Sequence, residues 1–190
     1  MKNIIKIITL LLFISCKAQT IVNVNTYNQG DNSNKYFKDI NNNYQNFIGT
    51  WENTYGNLTF RLEIWKNSNI EMPNESNSRI DLLNAKFSII KFINTPSEIV
   101  LHNSVKYFPQ NGYTSNNVMI AFALNNYSFS GFFTDTCANG GAGVLDASFS
   151  FEILNIGNTP LQAQWKLKSV GQLSSEEFFT VPTNCILIKQ

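Results

Sequence analysis

From Phe47 to the end of the chain, apolar and polar residues alternate with a period of two. In Leu58-Thr-Phe-Arg-Leu-Glu-Ile-Trp65, Leu58, Phe60, Leu62 and Ile64 share one side while Thr59, Arg61 and Glu63 share the other. Successive side chains of a strand point to opposite faces, so this pattern predicts a strand with one buried and one wet face. It returns with Ile99, Leu101, Val105 and Tyr107 against Glu98, His102, Ser104 and Lys106. It returns again with Leu145, Ala147, Phe149, Phe151 and Ile153 against Asp146, Ser148, Ser150 and Glu152, and with Leu161, Ala163, Trp165 and Leu167 against Gln162, Gln164, Lys166 and Lys168. One-sided strands of this kind belong to antiparallel sheets. Gly56-Asn57, Asn111-Gly112 and Asn125-Asn126 lie between apolar runs and favour hairpin turns, which makes sequence neighbours sheet neighbours. A meander of about nine strands must hide its edges, so the expected fold is all-β: a closed barrel of about eight to ten strands, with a β-sandwich as the alternative.

The start of the chain is patterned differently. Thr20–Tyr27 reads as a short strand and Asn28–Asn34 as a polar loop or tether. Phe37, Ile40, Tyr44 and Phe47 then recur at spacings of three, four and three, which predicts a small amphipathic helix that plugs the domain. Before them all, an oily run from Ile4 to Ile14 is broken by Lys6 and Thr9. It is too short for the roughly 20 apolar residues of a membrane-crossing helix. With Lys2 and Lys6 ahead of it and Ser15 behind, it matches a secretory signal. Phe13-Ile-Ser-Cys16 resembles the lipobox of bacterial lipoproteins, with Phe in place of the usual leading Leu. That resemblance implies a signal peptide over 1–15 and a lipidated Cys16; with the polar stretch and the alternation, a tether is expected over 16–34 and one barrel domain over 35–190. The alternative is an ordinary signal cut at Ala18-Gln19, with Cys16 discarded. Two or three acyl chains would hold the protein to a membrane without spanning it. Surface-exported lipoproteins of related bacteria look as if they carry acidic residues after the cysteine. Here Lys17-Ala-Gln-Thr20 follows, so the expected location is the outer membrane, facing the periplasm, with the cell surface as the alternative.

Composition narrows the function classes. About 175 residues after the signal are enough for one domain with a sizeable core. A net charge of +1 and the absence of a Lys/Arg cluster exclude an electrostatic nucleic-acid binder. The one histidine, His102, falls on the polar side of its predicted strand and excludes a multi-histidine metal site. No nucleophile elbow, Walker loop or dinucleotide fingerprint is present, so neither catalysis nor a cofactor is expected. The one chemically unusual stretch is Thr134-Asp-Thr-Cys-Ala-Asn-Gly-Gly-Ala-Gly143. Its Gly140-Gly-Ala-Gly-Val-Leu-Asp146 nearly spells a calcium-binding repeat, but the aspartate comes one position late and no second copy follows. A loop joining two strands is the plainer reading. After processing, Cys137 and Cys185 are the thiols that remain. In an oxidising compartment they either bridge or stand apart.

Phe47-Ile-Gly-Thr-Trp51 opens the first long strand and resembles the Gly-x-Trp signature of the lipocalin and fatty-acid-binding superfamily. The likeness implies structural roles for Gly49 and Trp51 at the closed end of a barrel. The arginine that commonly stacks on that tryptophan is missing, leaving Lys168 or Lys189 as substitutes. A wider likeness, carried by Cys16-Lys-Ala-Gln19, Tyr36-Phe-Lys-Asp-Ile-Asn-Asn42, Phe47–Trp51 and Val181-Pro-Thr-Asn-Cys-Ile-Leu-Ile-Lys-Gln190, is to a family of uncharacterised flavobacterial lipoproteins and implies no activity. Three functions remain. A barrel could hold a small apolar ligand among Phe60, Leu62, Phe149, Phe151, Trp165 and Leu167. A filled barrel could serve as a structural or protein-binding module of the envelope. Last is a hydrolase using Cys137 or a serine. Whether the six inward residues leave a void decides between the first two.

Overall fold

The computed structural model describes residues 19–27, 30–72, 75–104 and 118–190. Residues 1–18, with Cys16 and the expected signal among them, and residues 105–117, with Val105, Lys106, Tyr107 and Asn111-Gly112, lie outside the described residues. Among the described residues eleven strands are formed: β1 Thr20–Asn23, β2 Lys35–Lys38, β3 Gly49–Tyr55, β4 Leu58–Glu71, β5 Arg79–Lys91, β6 Ile99–Asn103, β7 Met119–Phe122, β8 Ser128–Cys137, β9 Gly143–Ile153, β10 Gln162–Ser169 and β11 Asn184–Lys189.

Eight of them close a barrel. They hydrogen-bond in the order β5-β4-β3-β11-β10-β9-β8-β7, all antiparallel, and β7 returns to β5 where Leu83 meets Ala121. Closure follows from the one-sided pattern: Phe60, Leu62, Phe87, Phe133, Phe149, Phe151 and Trp165 all turn inward and are buried. An open sheet would leave that face wet or expose two edges. The predicted turns after β3 and β7 are both hairpins. Tyr55 pairs with Leu58 across Gly56-Asn57, and Asn125 Oδ1 accepts from the amides of Tyr127 and Ser128.

Strand β5 is 13 residues long and carries three short strands along one edge. At its start Tyr36 and Phe37 of β2 pair in parallel with Arg79 and Ile80, and β1 adds in parallel outside β2. In the middle sits β7, and the last residues pair with β6. Both faces of β5 are largely buried. Tyr27 packs edge-on against Phe37 and Phe122, so the N-terminal segment leans on the outer wall where Ile80 and Leu82 are covered.

Three expectations are corrected. The segment spaced for a helix is strand β2 followed by a 3-10 turn over Asn43–Asn46. The Asp39 carboxylate accepts from the amides of Asn43 and Tyr44 at 2.8 and 3.2 Å and Asn42 is left-handed, which together start a turn where a continuous helix was expected. Phe37, Tyr44 and Phe47 are buried all the same, while Ile40 is exposed. Next, the chain is already bound to the barrel from Gln19 onward. Gln19 Nε2 donates to the carbonyls of Lys35 and Asn77, the Asn34 amide donates to Ser76, and Asn32 is buried against Glu75. Asn32 and Asn34 of the expected tether help to fasten it: Asn32 Nδ2 donates to Glu75 Oε1, and Asn34 Oδ1 accepts from Asn77 Nδ2. Finally, β6 lies off the barrel ring, so Ile99 and Leu101 are 53% and 45% exposed instead of facing a core.

Candidate functional site

The barrel has two chemically distinct ends. At the first, the inward parity of Phe60, Leu62 and Ile64 continues to Lys66, whose cross-strand partner on β5 is Leu83, and Asp81 lies two residues before Leu83. Both charged side chains therefore point into the barrel. Lys66 Nζ sits 2.9 Å from Asp81 Oδ2 and 3.8 Å from Asp39 Oδ2. The fully buried Asp81 carboxylate also accepts from Tyr36 Oη at 2.5 Å and from the amides of Asp39 and Asn69 at 3.0 and 3.1 Å. Burial pushes the Asp81 pKa up, but these donors outweigh it and hold the group below the usual carboxylate value. Burial and the adjacent carboxylates raise both Tyr36 and Tyr44 well above an ordinary phenol, so both stay protonated donors. Tyr44 Oη completes the cluster by donating to the Asp81 carbonyl at 2.8 Å.

Trp51 lies beside this knot, fully buried, with Nε1 donating to the Phe47 carbonyl at 2.7 Å. Its ring meets Phe151 edge-on at 4.9 Å, and Lys189 Nζ stands 5.5 Å from the ring centroid while donating to the Asn46 carbonyl. Burial lowers the Lys189 pKa. Lys168 is exposed and sits elsewhere. Gly49 has φ +129, and a Cβ there would lie 3.1 Å from Lys189 Cε, so glycine lets the lysine cross to the indole. The polar groups of this end face one another, and the arrangement is a stopper.

The opposite end is a mouth held by one carboxylate. Asp135 continues the inward parity of Phe129, Gly131 and Phe133 and is fully buried. Its Oδ1 accepts from the Cys137 amide at 2.9 Å, and its Oδ2 from the amides of Thr180 and Val181 at 2.6 and 3.3 Å. Thr180 Oγ1 donates to the Cys137 carbonyl, and the amide of Asn139 and its Oδ1 pair with the carbonyl and amide of Phe178. Trp165 Nε1 adds a bond to the Pro182 carbonyl. Residues 178–182 thus form a strap across the barrel. Burial raises the Asp135 pKa against the pull of those three amides and of nearby His102. Between strap and wall opens an apolar cup of about 250 Å³, lined by Asn53, Tyr55, Leu58, Phe60, Ile89 and the strap residues Thr180 to Pro182.

The six side chains expected around a ligand meet one another in the barrel's middle. Trp165 stacks on Phe149 at 5.3 Å and lies 6.1 Å from Phe60, Phe151 stacks on Phe129 at 5.0 Å, Leu62 is fully buried, and Leu167 packs on the same cluster. Of the six, Phe60 borders the cup, and Phe151 borders a separate open cleft with Leu124, Ser128 and Glu152.

The other candidates are dispersed. Cys137 and Cys185 are not bridged to each other in this structure, and burial pushes Cys185 up to about 11, far from a reactive thiolate at neutral pH. His102 lies against Gly141, whose added Cβ would sit 3.4 Å from its ring. Asp146 accepts from Thr134 Oγ1 at 2.7 Å, and among the described residues no group of three His, Cys, Asp or Glu side chains is placed to hold a metal. The residues that organise the two ends, Lys66, Asp81, Asp39 and Asp135, were missed in the sequence. Their signal was available: extending the apolar parity of β4 and β8 by two residues puts a charge on the inward face each time.

No curated protein and no solved structure matches the chain. A family model does match, over residues 1–190, and the chain accordingly belongs to that family, a family of unknown function, DUF6705.

Proposed function

We propose that the protein is an envelope lipoprotein, anchored through Cys16, that uses a filled barrel as a scaffold and receives one small apolar group, the end of an acyl chain, in the cup at its mouth. The observation that carries this reading is the division of the interior. Aromatic rings pack against one another through the middle, while the cup above Phe60 stays open at about 250 Å³. That is below the 300–1,000 Å³ of typical small-molecule pockets, so it suits a chain end and not a whole lipid. Its walls reward apolar burial at about 25 cal/mol per Å². Catalysis is not part of the proposal: the Asp135 oxygens are engaged by backbone amides, and the Cys185 thiol stays protonated.

The test uses the Cys16→Ala protein, soluble if the anchor reading is right, titrated with fatty acids of increasing length. Binding should raise the melting temperature and change the emission of Trp165, which lies behind Phe60. Leu58→Glu, at the lip of the cup, should abolish both responses. If no chain length moves either signal and native mass spectrometry finds no co-purified small molecule, the cup is not a binding site. The anchor is checked separately by labelling cells with a fatty-acid analogue: the wild type should take label and the Cys16→Ala protein should not.

A further inference from the structure

The geometry points to a fixed seat on the membrane: the stopper end of the barrel rests on the anchoring bilayer, and the mouth faces away from it. This rests on the anchor at Cys16 proposed above and adds the surface that meets the lipid. The first argument is the length of chain between anchor and barrel. Gln19 is bonded to the Lys35 and Asn77 carbonyls, at 3.1 and 2.8 Å, and Thr20 to the Asn34 carbonyl. Asn77 belongs to the hairpin joining β4 to β5, beside the charge knot at the stopper end. Three residue steps separate Cys16 from Gln19, a reach of about 10 Å even when fully extended. The mouth is much farther off: β4 has 14 residues, which at about 3.3 Å rise and about 40° tilt span about 35 Å of barrel height. An anchor on so short a leash brings the stopper end to the bilayer and cannot bring the mouth.

The second argument is what that end presents. Its turns and hairpins carry exposed apolar side chains: Ile40 at 52%, Leu124 at 53%, Tyr127 at 48%, Leu154 at 51% and Ile156 at 50%. They come from three separate connections, before β3, between β7 and β8, and between β9 and β10, all on one rim of the barrel. Apolar tips beside an amphipathic tyrosine suit the headgroup boundary, where interfacial groups bury about 5–10 Å deep. Charges at this end are mixed, with Lys35 and Lys38 offset by Asp31, Glu71 and Glu75, so seating should depend little on anionic lipid or salt. The mouth has its own exposed apolar rim, including Tyr55 at 87%, and the leash length decides which rim meets lipid.

The experiment takes lipidated full-length protein in phosphatidylcholine vesicles containing lipids brominated near the headgroup. Tryptophan is placed at exposed tips by Ile156→Trp, Tyr127→Trp and, at the mouth, Tyr55→Trp. Relative to the unsubstituted protein, the two stopper-end probes should lose about twofold in emission, as expected for a shallow interfacial depth, and the mouth probe should lose none. Quenching confined to Tyr55→Trp, or equal at both ends, overturns the orientation. A protein that floats with the vesicles but is quenched nowhere overturns the seat while leaving the anchor intact. A protein that does not float at all takes down the anchor reading and the seat with it.

Discussion

The two ends of this barrel solve the same problem by opposite means. At the stopper, a partly exposed lysine, two buried aspartates and two tyrosines satisfy one another, and a tryptophan with its lysine lid fills what is left. At the mouth, one carboxylate gathers the backbone amides of a strap, and apolar side chains are left facing water around a cup. A satisfied network of charges is rigid and leaves nothing for a ligand to bond. A strap stitched by a few bonds over apolar walls leaves room and can be displaced. Under the proposed function, the contrast assigns stability to one end and recognition to the other.

The largest expected effect comes from removing the cation of the stopper. Lys66→Met leaves Asp39 and Asp81 buried without a counter-charge and should cost about 3 kcal/mol, read from the shift of the urea midpoint. Adding Asp81→Asn to that variant should recover part of the loss, because one of the two unpaired charges is then gone. A loss below about 1 kcal/mol would mean that the knot is solvated like a surface ion pair. Gly49→Ala comes next, at about 2 kcal/mol, since its positive φ admits a side chain only with strain and Lys189 must move off Trp51. At the mouth, Asp135→Asn should cost about 1–2 kcal/mol through lost acceptors for the strap. It should also speed hydrogen exchange at the Thr180 and Val181 amides while leaving those of Asp39 and Asn69 slow. Uniform acceleration at both ends would erase the distinction.

How much of this was legible beforehand follows the same division. The walls were readable because burial on one face writes itself as period two, and β4, β9 and β10 lie where the alternation puts them. The helix over Phe37 to Phe47 was not, because Phe37, Tyr44 and Phe47 are buried by a strand and a turn whose apolar spacing imitates a helix. Strand β6 misled for another reason: Ile99 and Leu101 alternate like core residues, but their strand pairs with the last residues of β5 and Leu101 falls at a break in the register. The stopper and the strap depend on contacts between residues far apart in the chain, such as Lys66 with Asp81, Asp135 with Val181 and Lys189 with Asn46. Spacing along the chain says nothing about such meetings. It does say that Lys66 and Asp135 point inward, and a charge pointing into a barrel demands a partner.

Acid should pull the two ends apart. The folded pKa of Asp81 lies below its unfolded value, so its contribution is intact at neutral pH and is lost as pH falls through the folded value. Asp135 has the opposite sign. Its folded pKa lies above the unfolded one, so acidification from neutral into that gap relieves a buried charge and adds stability. In urea titrations the gap between wild type and Asp135→Asn should widen on mild acidification, and the gap between wild type and Asp81→Asn should shrink only at lower pH. Parallel curves for both variants would refute the assignment of opposite environments.

The smallest and most local effect concerns Cys185, at the start of β11 opposite Trp165, whose indole bonds the strap at Pro182. With its pKa pushed up to about 11 by burial, little thiolate exists at pH 7.5. Against an ordinary thiol near 9, alkylation should be slower by about two decades, roughly 100-fold from the thiolate fraction alone. The measurement is the iodoacetamide rate in a Cys137→Ser background. Because Trp165, opposite Cys185, is bonded to the strap at Pro182, loosening the strap by Asp135→Asn should raise the rate several-fold at a pH where global stability is still high. Lys66→Met, acting at the far end, should raise it only as far as global unfolding allows. Equal acceleration by the two would show that Cys185 senses the whole barrel and not its mouth. The unreduced wild type supplies the companion reading, since two titratable thiols are expected after denaturation and none would mean that Cys137 and Cys185 are bridged.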